Sequence, residues 1–113
     1  MKRIEAIIRP EKVETVRAAL DKSGYPGIMI TEVQGHGKQK GVEQQWRGGT
    51  YKVAFLPKVK IDIVAKDADV DRIVATITQA AKTGAVGDGK IFVSDVKDAV
   101  RIRTGEHGDK AVE

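Results

Sequence analysis

Hydrophobic and polar positions alternate at the start of the chain, with Ile4, Ala6 and Ile8 set against Arg3, Glu5 and Arg9. A period of two marks a strand with one buried face. Pro10 then opens a helix where its missing N–H costs nothing, and Glu11 follows in the first turn, where the helix dipole favours a carboxylate. Val13, Val16, Ala19 and Leu20 lengthen the period to that of an amphipathic helix. Gly24 is expected to stop it, Pro26-Gly27 to turn the chain, and Ile28 to Gln34 to form a second strand.

From Gly35 to about Lys52 the pattern disappears into glycines and polar side chains. A long polar loop inside a small domain is uncommon and usually functional. Order returns at Val53-Ala54-Phe55-Leu56, and Pro57 suggests a bulge or an edge. Val59, Ile61 and Ile63 alternate with Lys58, Lys60 and Asp62 as a third strand. Asp67 or Asp69 is expected to cap a second helix whose core face is Val70, Ile73, Val74, Ile77 and Ala81, with Gly84 ending it. Ile91-Phe92-Val93 reads as a fourth strand and Val100 to Arg103 as a short extended segment.

Strand, helix, strand, long loop, strand, helix, strand fits an α+β fold, a ferredoxin-like βαββαβ sandwich, in one domain over residues 1–113. The long loop spans about 37–55, and the polar tail, about 104–113, is expected to be loosely held. The open sheet face is expected to carry apolar side chains, which a homo-oligomer would bury.

Charge refines this picture without changing it. Twenty Lys and Arg against 16 Asp and Glu leave a net charge of +4, which suits phosphates or acidic metabolites. The chain has no long basic run, and two Phe, two Tyr and one Trp are few for stacking bases. With no Cys, thiolate metal sites and cysteine nucleophiles are excluded. His36 and His107 lack ligand spacing. Neither a signal peptide nor a membrane span is visible, so a soluble cytoplasmic protein is expected.

The sharpest chemical signal is Gly84-Ala85-Val86-Gly87-Asp88-Gly89-Lys90. It fills seven positions of a Walker A loop, but Ile91 stands where Ser or Thr should hold magnesium. It also runs from helix into strand, the reverse of a P-loop. Three glycines and a lysine favour phosphate binding somewhat over a plain connection. Arg101 and Arg103, at strand spacing, suit either a phosphate or a solvated edge. Gly35-His36-Gly37-Lys38-Gln39 is weak alone, and Lys58 in isolation reads as a surface cation. Trp46 and Tyr51, in a loop with little core of its own, point to docking or modification. No catalytic constellation is visible, and the chain is not expected to be an enzyme.

Two longer runs carry a family likeness. Arg47 to Ile61 and Thr83 to Val93 resemble the paired signatures of the PII nitrogen signalling proteins, and the similarity extends over nearly the whole chain. The resemblance implies a homotrimer with nucleotide sites in the clefts between subunits. Gly87, Asp88, Gly89, Lys90, Arg101 and Arg103 match the family's phosphate-binding groups, joined by Gly35, Gly37 and Lys38. Met29, Asp62 and Val64 fall where adenine and ribose are lined. Gln39 matches the residue that helps hold Mg2+ with ATP and 2-oxoglutarate; Lys58 matches a carboxylate-binding cation, and Arg9, Lys40, Gly41 and Gly87 complete the 2-oxoglutarate pocket. The cofactors implied are ATP, ADP and Mg2+.

The 37–55 segment matches the target-docking T-loop, and Tyr51 the position that some members nucleotidylate. Implied partners are an ammonium transporter, through which alone a membrane is involved, and glutamine synthetase or its regulators. A nucleotide-only regulator and a ferredoxin-like RNA-binding module are the alternatives, the second disfavoured by the missing aromatic patches.

Overall fold

A computed structural model describes residues 1–36, 43–46, 49–52 and 55–113. The main sheet has β1 (Lys2–Ile8), β2 (Met29–His36), β5 (Phe55–Ala65) and β6 (Lys90–Asp95) in the order β2-β5-β1-β6. Every pairing is antiparallel. Helices α1 (Val13–Lys22) and α2 (Val70–Ala81) lie on one face, giving the expected ferredoxin-like sandwich. The registers Ile4↔Ile63, Ala6↔Ile61 and Ile8↔Val59 put the apolar half of β1 directly opposite that of β5. These residues close on Val16, Leu20, Ile73, Ile77 and Ala81 to form the core.

Pro57 does not break its strand. β5 runs through it, pairing Pro57 with Gln34 of β2, while the pairing with β1 ends at Val59. At Pro57 the β1 side of the strand therefore has no partner, so β5 is an edge there, where a residue without an N–H is tolerated.

Several local expectations are corrected. The segment read as patternless contains a separate hairpin, β3 (Glu43–Trp46) with β4 (Gly49–Lys52). Its pairing rests on backbone groups, which hydrophobic periodicity does not report. Asp69 stands at the N-cap of α2, but its side chain makes no capping bond. A 3-10 turn, Asp67–Asp69, leads straight into the helix and leaves Asp69 helical (φ −97°, ψ −11°) rather than extended. Asp67 instead pairs with the Met1 ammonium at 2.8 Å. Helix α2 stops at Ala81 because Lys82 is extended, and Gly84 (φ 88°) belongs to the following loop.

Val100 to Arg103 is not an extended segment. Val100 makes one bridge with His107, and residues 102–104 form a turn closed by Gly105 N–H donating to the Arg101 carbonyl at 2.7 Å. The strand spacing read for Arg101 and Arg103 is therefore lost. The tail is also fastened. It forms a 3-10 turn, Gly108–Val112, and Arg101 Nη2 donates to the carbonyls of Lys110 (2.8 Å) and Glu113 (3.2 Å).

The open sheet face carries apolar side chains from several strands, as expected, interleaved with charged ones. Register places Arg3, Glu5, Lys60 and Asp62 on it beside Met29, Val33, Val64 and Phe92. Asp62 is buried there, held by Arg3 at 3.0 Å, with Lys60 at 4.0 Å.

Candidate functional site

The loop from Lys82 to Gly89 joins α2 to β6 and lies against the end of β1. Gly84, Gly87 and Gly89 all have left-handed backbones. At Gly89 the need is steric as well: an added Cβ would sit 1.7 Å from the Ile7 carbonyl oxygen. The glycines thus let the chain turn sharply and lie flat on β1.

Asp88 closes the loop on itself. Its Oδ2 accepts the N–H groups of Thr83 and Gly84, each at 2.9 Å. Its Oδ1 accepts the Thr83 hydroxyl and Arg9 Nε, the latter at 3.2 Å. The Thr83 hydroxyl and amide, the Gly84 amide and Arg9 hold this carboxyl well below the usual carboxylate range. The sign follows: a carboxylate depressed in the fold stabilises it above the unfolded value, near 3.9, and loses that contribution only as pH falls through the lower native value. The Thr83 and Gly84 amide resonances should therefore stay unchanged from pH 7 to about 4 in an NMR titration. A carboxylate-type inflection in that window would show the loop to be open in solution.

Arg9 also reaches the loop backbone, and Lys58 joins it there. Arg9 Nη2 donates to the Val86 carbonyl at 2.8 Å and Lys58 Nζ to the Gly87 carbonyl at 2.7 Å. Gly35 lies beside the Lys58 stem, where a Cβ would come within 3.1 Å of Cγ. Lys90 begins β6, opposite Ile7, and is exposed. The fold therefore gathers Arg9, Gly35, Lys58, Gly87, Asp88, Gly89 and Lys90 at one end of the sheet.

It does not bring the remaining candidates there. Lys58 reaches Gly87 near one end of β5; Lys66, just past the other end, pairs at 2.8 Å with Glu113, whose carbonyl accepts from Arg101. Seven residue-to-residue steps of extended strand separate Lys58 from Ala65, roughly 23 Å. Arg101 is also paired with Glu106 at 2.9 Å. Met29 and Asp62 are register partners on the open face, and Val64 lies two residues along it. Gly37, Lys38, Gln39, Lys40 and Gly41 lie outside the described residues, as does the side chain of Tyr51. Among the described residues no cluster of three or more metal-ligating side chains exists.

Sequence reasoning missed Thr83 as a working part of the site. The only local hint is a hydroxyl five residues before an acid in a glycine-rich turn.

A family model described as nitrogen regulatory protein P-II matches residues 1–106. The chain belongs to the P-II family. It is 55% identical over 112 residues to nitrogen regulatory protein P-II 2 of Methanothermobacter thermautotrophicus, covering 99% of this chain and 97% of that one. It is 54% identical over 112 residues to P-II of Rhodospirillum rubrum and to P-II 1 of Escherichia coli, covering 99% of this chain and all of each relative. A crystal structure of Arabidopsis thaliana PII bound to citrate superposes with a TM-score of 0.80 at 39% identity, covering 99% of this chain and 89% of that one. This P-II chain is accordingly a nitrogen regulatory signalling protein and not an enzyme. Among the described residues no helix is long and apolar enough to cross a membrane.

Proposed function

We propose that this P-II protein is a cytoplasmic homotrimer that binds ATP or ADP and, together with Mg-ATP, 2-oxoglutarate. Its 37–55 loop passes that state to target proteins such as an ammonium transporter, or glutamine synthetase or its regulators. Tyr51 is a candidate site of nucleotidylation on that loop.

The division of the cationic groups between the two ends of β5 carries this reading. Lys58 and Lys90 sit with the glycine loop, and Arg101 lies near the other end of the strand. No single phosphate chain bridges roughly 23 Å of strand. Beside its own Arg9, one chain's glycine loop therefore takes Arg101 and Arg103 from a neighbouring chain, which makes a site between subunits. Exposed Met29 and Phe92 on the open face are consistent with such packing. Citrate in the Arabidopsis relative supports carboxylate recognition by this fold. A dicarboxylate beside phosphates needs cations to offset the charge, so 2-oxoglutarate should follow Mg-ATP and, by linkage, tighten it.

Calorimetric titration of 2-oxoglutarate, with Mg-ATP, with ADP and without nucleotide, tests the ligand order. Heat is expected only with Mg-ATP. Silence under all three conditions, with ATP bound, would leave a nucleotide-only regulator. In the same instrument, Lys90→Ala and Arg103→Ala should each weaken ATP by about tenfold or more. A loss for only one of them would remove the site between subunits.

A further inference from the structure

Asp88 lies between Gly87 (φ 102°) and Gly89 (φ 103°), near the end of the loop assigned above to phosphate. A free carboxylate there would repel a phosphate at close range. This one is not free. An ionised carboxylate offers about four acceptor sites, and here Oδ2 takes two backbone amides while Oδ1 takes a hydroxyl and a guanidinium N–H. The Thr83 hydroxyl oxygen in turn accepts the Ala85 N–H at 3.1 Å. Arg9, held by Asp88, reaches across to the Val86 carbonyl. The loop is thus held at Thr83-Gly84 by Asp88 and lies close against the Ile7 backbone at Gly89, and Lys58 holds the Gly87 carbonyl between the two.

We infer that Asp88 is the positioning residue of this loop: its carboxylate sets the backbone offered to phosphate and aims the Arg9 guanidinium, and it makes no ligand contact itself. The inference rests on the nucleotide and 2-oxoglutarate reading above. It separates the side chain of Asp88 from the direct phosphate contacts of its neighbours. It also makes Arg9 and the phosphate loop parts of one unit, although 79 positions separate Arg9 from Asp88.

The test compares wild type, Asp88→Asn, Arg9→Ala and the double variant. Calorimetry measures Mg-ATP, then 2-oxoglutarate on the ATP-loaded protein, and hydrogen exchange follows the Thr83 and Gly84 amides. Asp88→Asn should weaken Mg-ATP by about 10- to 100-fold, the range for removing a group that orients a binding group, and should speed exchange at both amides. For 2-oxoglutarate, Arg9→Ala should lose much less affinity in the Asp88→Asn background than in wild type, because Arg9 is already misaimed there. A purely structural role would make the two losses multiply. Thr83→Val, which removes one partner of the carboxylate, should weaken Mg-ATP in the same direction by less, and it serves if Asp88→Asn does not fold.

Wild-type or tighter Mg-ATP binding by a folded Asp88→Asn variant, with exchange at Thr83 and Gly84 accelerated, would overturn the inference. Independent losses in the double variant would do the same. Absence of Mg-ATP binding by wild type would instead defeat the nucleotide reading, and the inference with it.

Discussion

Gly89→Ala should destabilise the protein by about 4 kcal/mol. Two costs combine. The backbone at φ 103° lies outside the region that L side chains tolerate, which costs roughly 1–3 kcal/mol. The new methyl would then stand 1.7 Å from the Ile7 carbonyl oxygen and 2.8 Å from its carbon. Backbone cannot swing aside as a flexible side chain does. Relief requires the loop to lift away from β1, and the Lys90↔Ile7 pair, the first of the β1–β6 ladder, goes with it. Such forced packing costs about another 1–3 kcal/mol. Gly84→Ala is the matched control. It has a similar φ of 88° but nothing within 4 Å of its Cβ position, so it should show the strain alone. Urea unfolding of both variants at one protein concentration measures the difference. Equal losses would mean that the loop does not lie against β1 in solution.

Ile4→Ala comes next, at about 3–4 kcal/mol, the upper part of the range for deleting a buried aliphatic side chain. Ile4 is fully buried at the centre of the sheet, opposite Ile63 on β5 and Val93 on β6. Neighbours held by two ladders cannot collapse into the space left behind, so the cavity term is retained. Ile4→Val, which removes one methylene, should cost about 1 kcal/mol. The same urea titrations read both changes. A loss below about 1 kcal/mol for Ile4→Ala would show that β1 is not the central strand of the core.

Both effects depend on features of different legibility. The burial of Ile4 was readable from the alternation Ile4, Ala6, Ile8, because a strand with one covered face must repeat every two residues. The stripe of α2 was readable for the same reason: Ile73, Ile77 and Ala81 are buried where a period near 3.6 puts them. The glycine loop was legible as a place of close backbone approach. Its partner, the Ile7 carbonyl, was not, since nothing local to residues 84–90 names the strand they will press on.

Failures of local reading have similar causes. Arg101 and Arg103 looked like a strand pair because spacing is all a sequence offers. The Gly105 turn and the Glu106, Lys110 and Glu113 acceptors decided otherwise. The polar face of β1 and β5 gave no sign that Asp62 would be buried against Arg3, because the register that joins them exists only once the sheet has formed. The β3–β4 hairpin escaped because backbone pairing leaves no hydrophobic trace.

Sequence alone therefore determined the four main strands, the two helices, the glycine loop and the resemblance to PII, all of which rest on local periodicity or on contiguous motifs. Tertiary structure decided the order β2-β5-β1-β6, the convergence of Arg9, Lys58 and Asp88, and the separation of that cluster from Arg101. Those facts join residues 29 and 79 positions apart, and such contacts are settled by how finished elements dock, which no local pattern encodes.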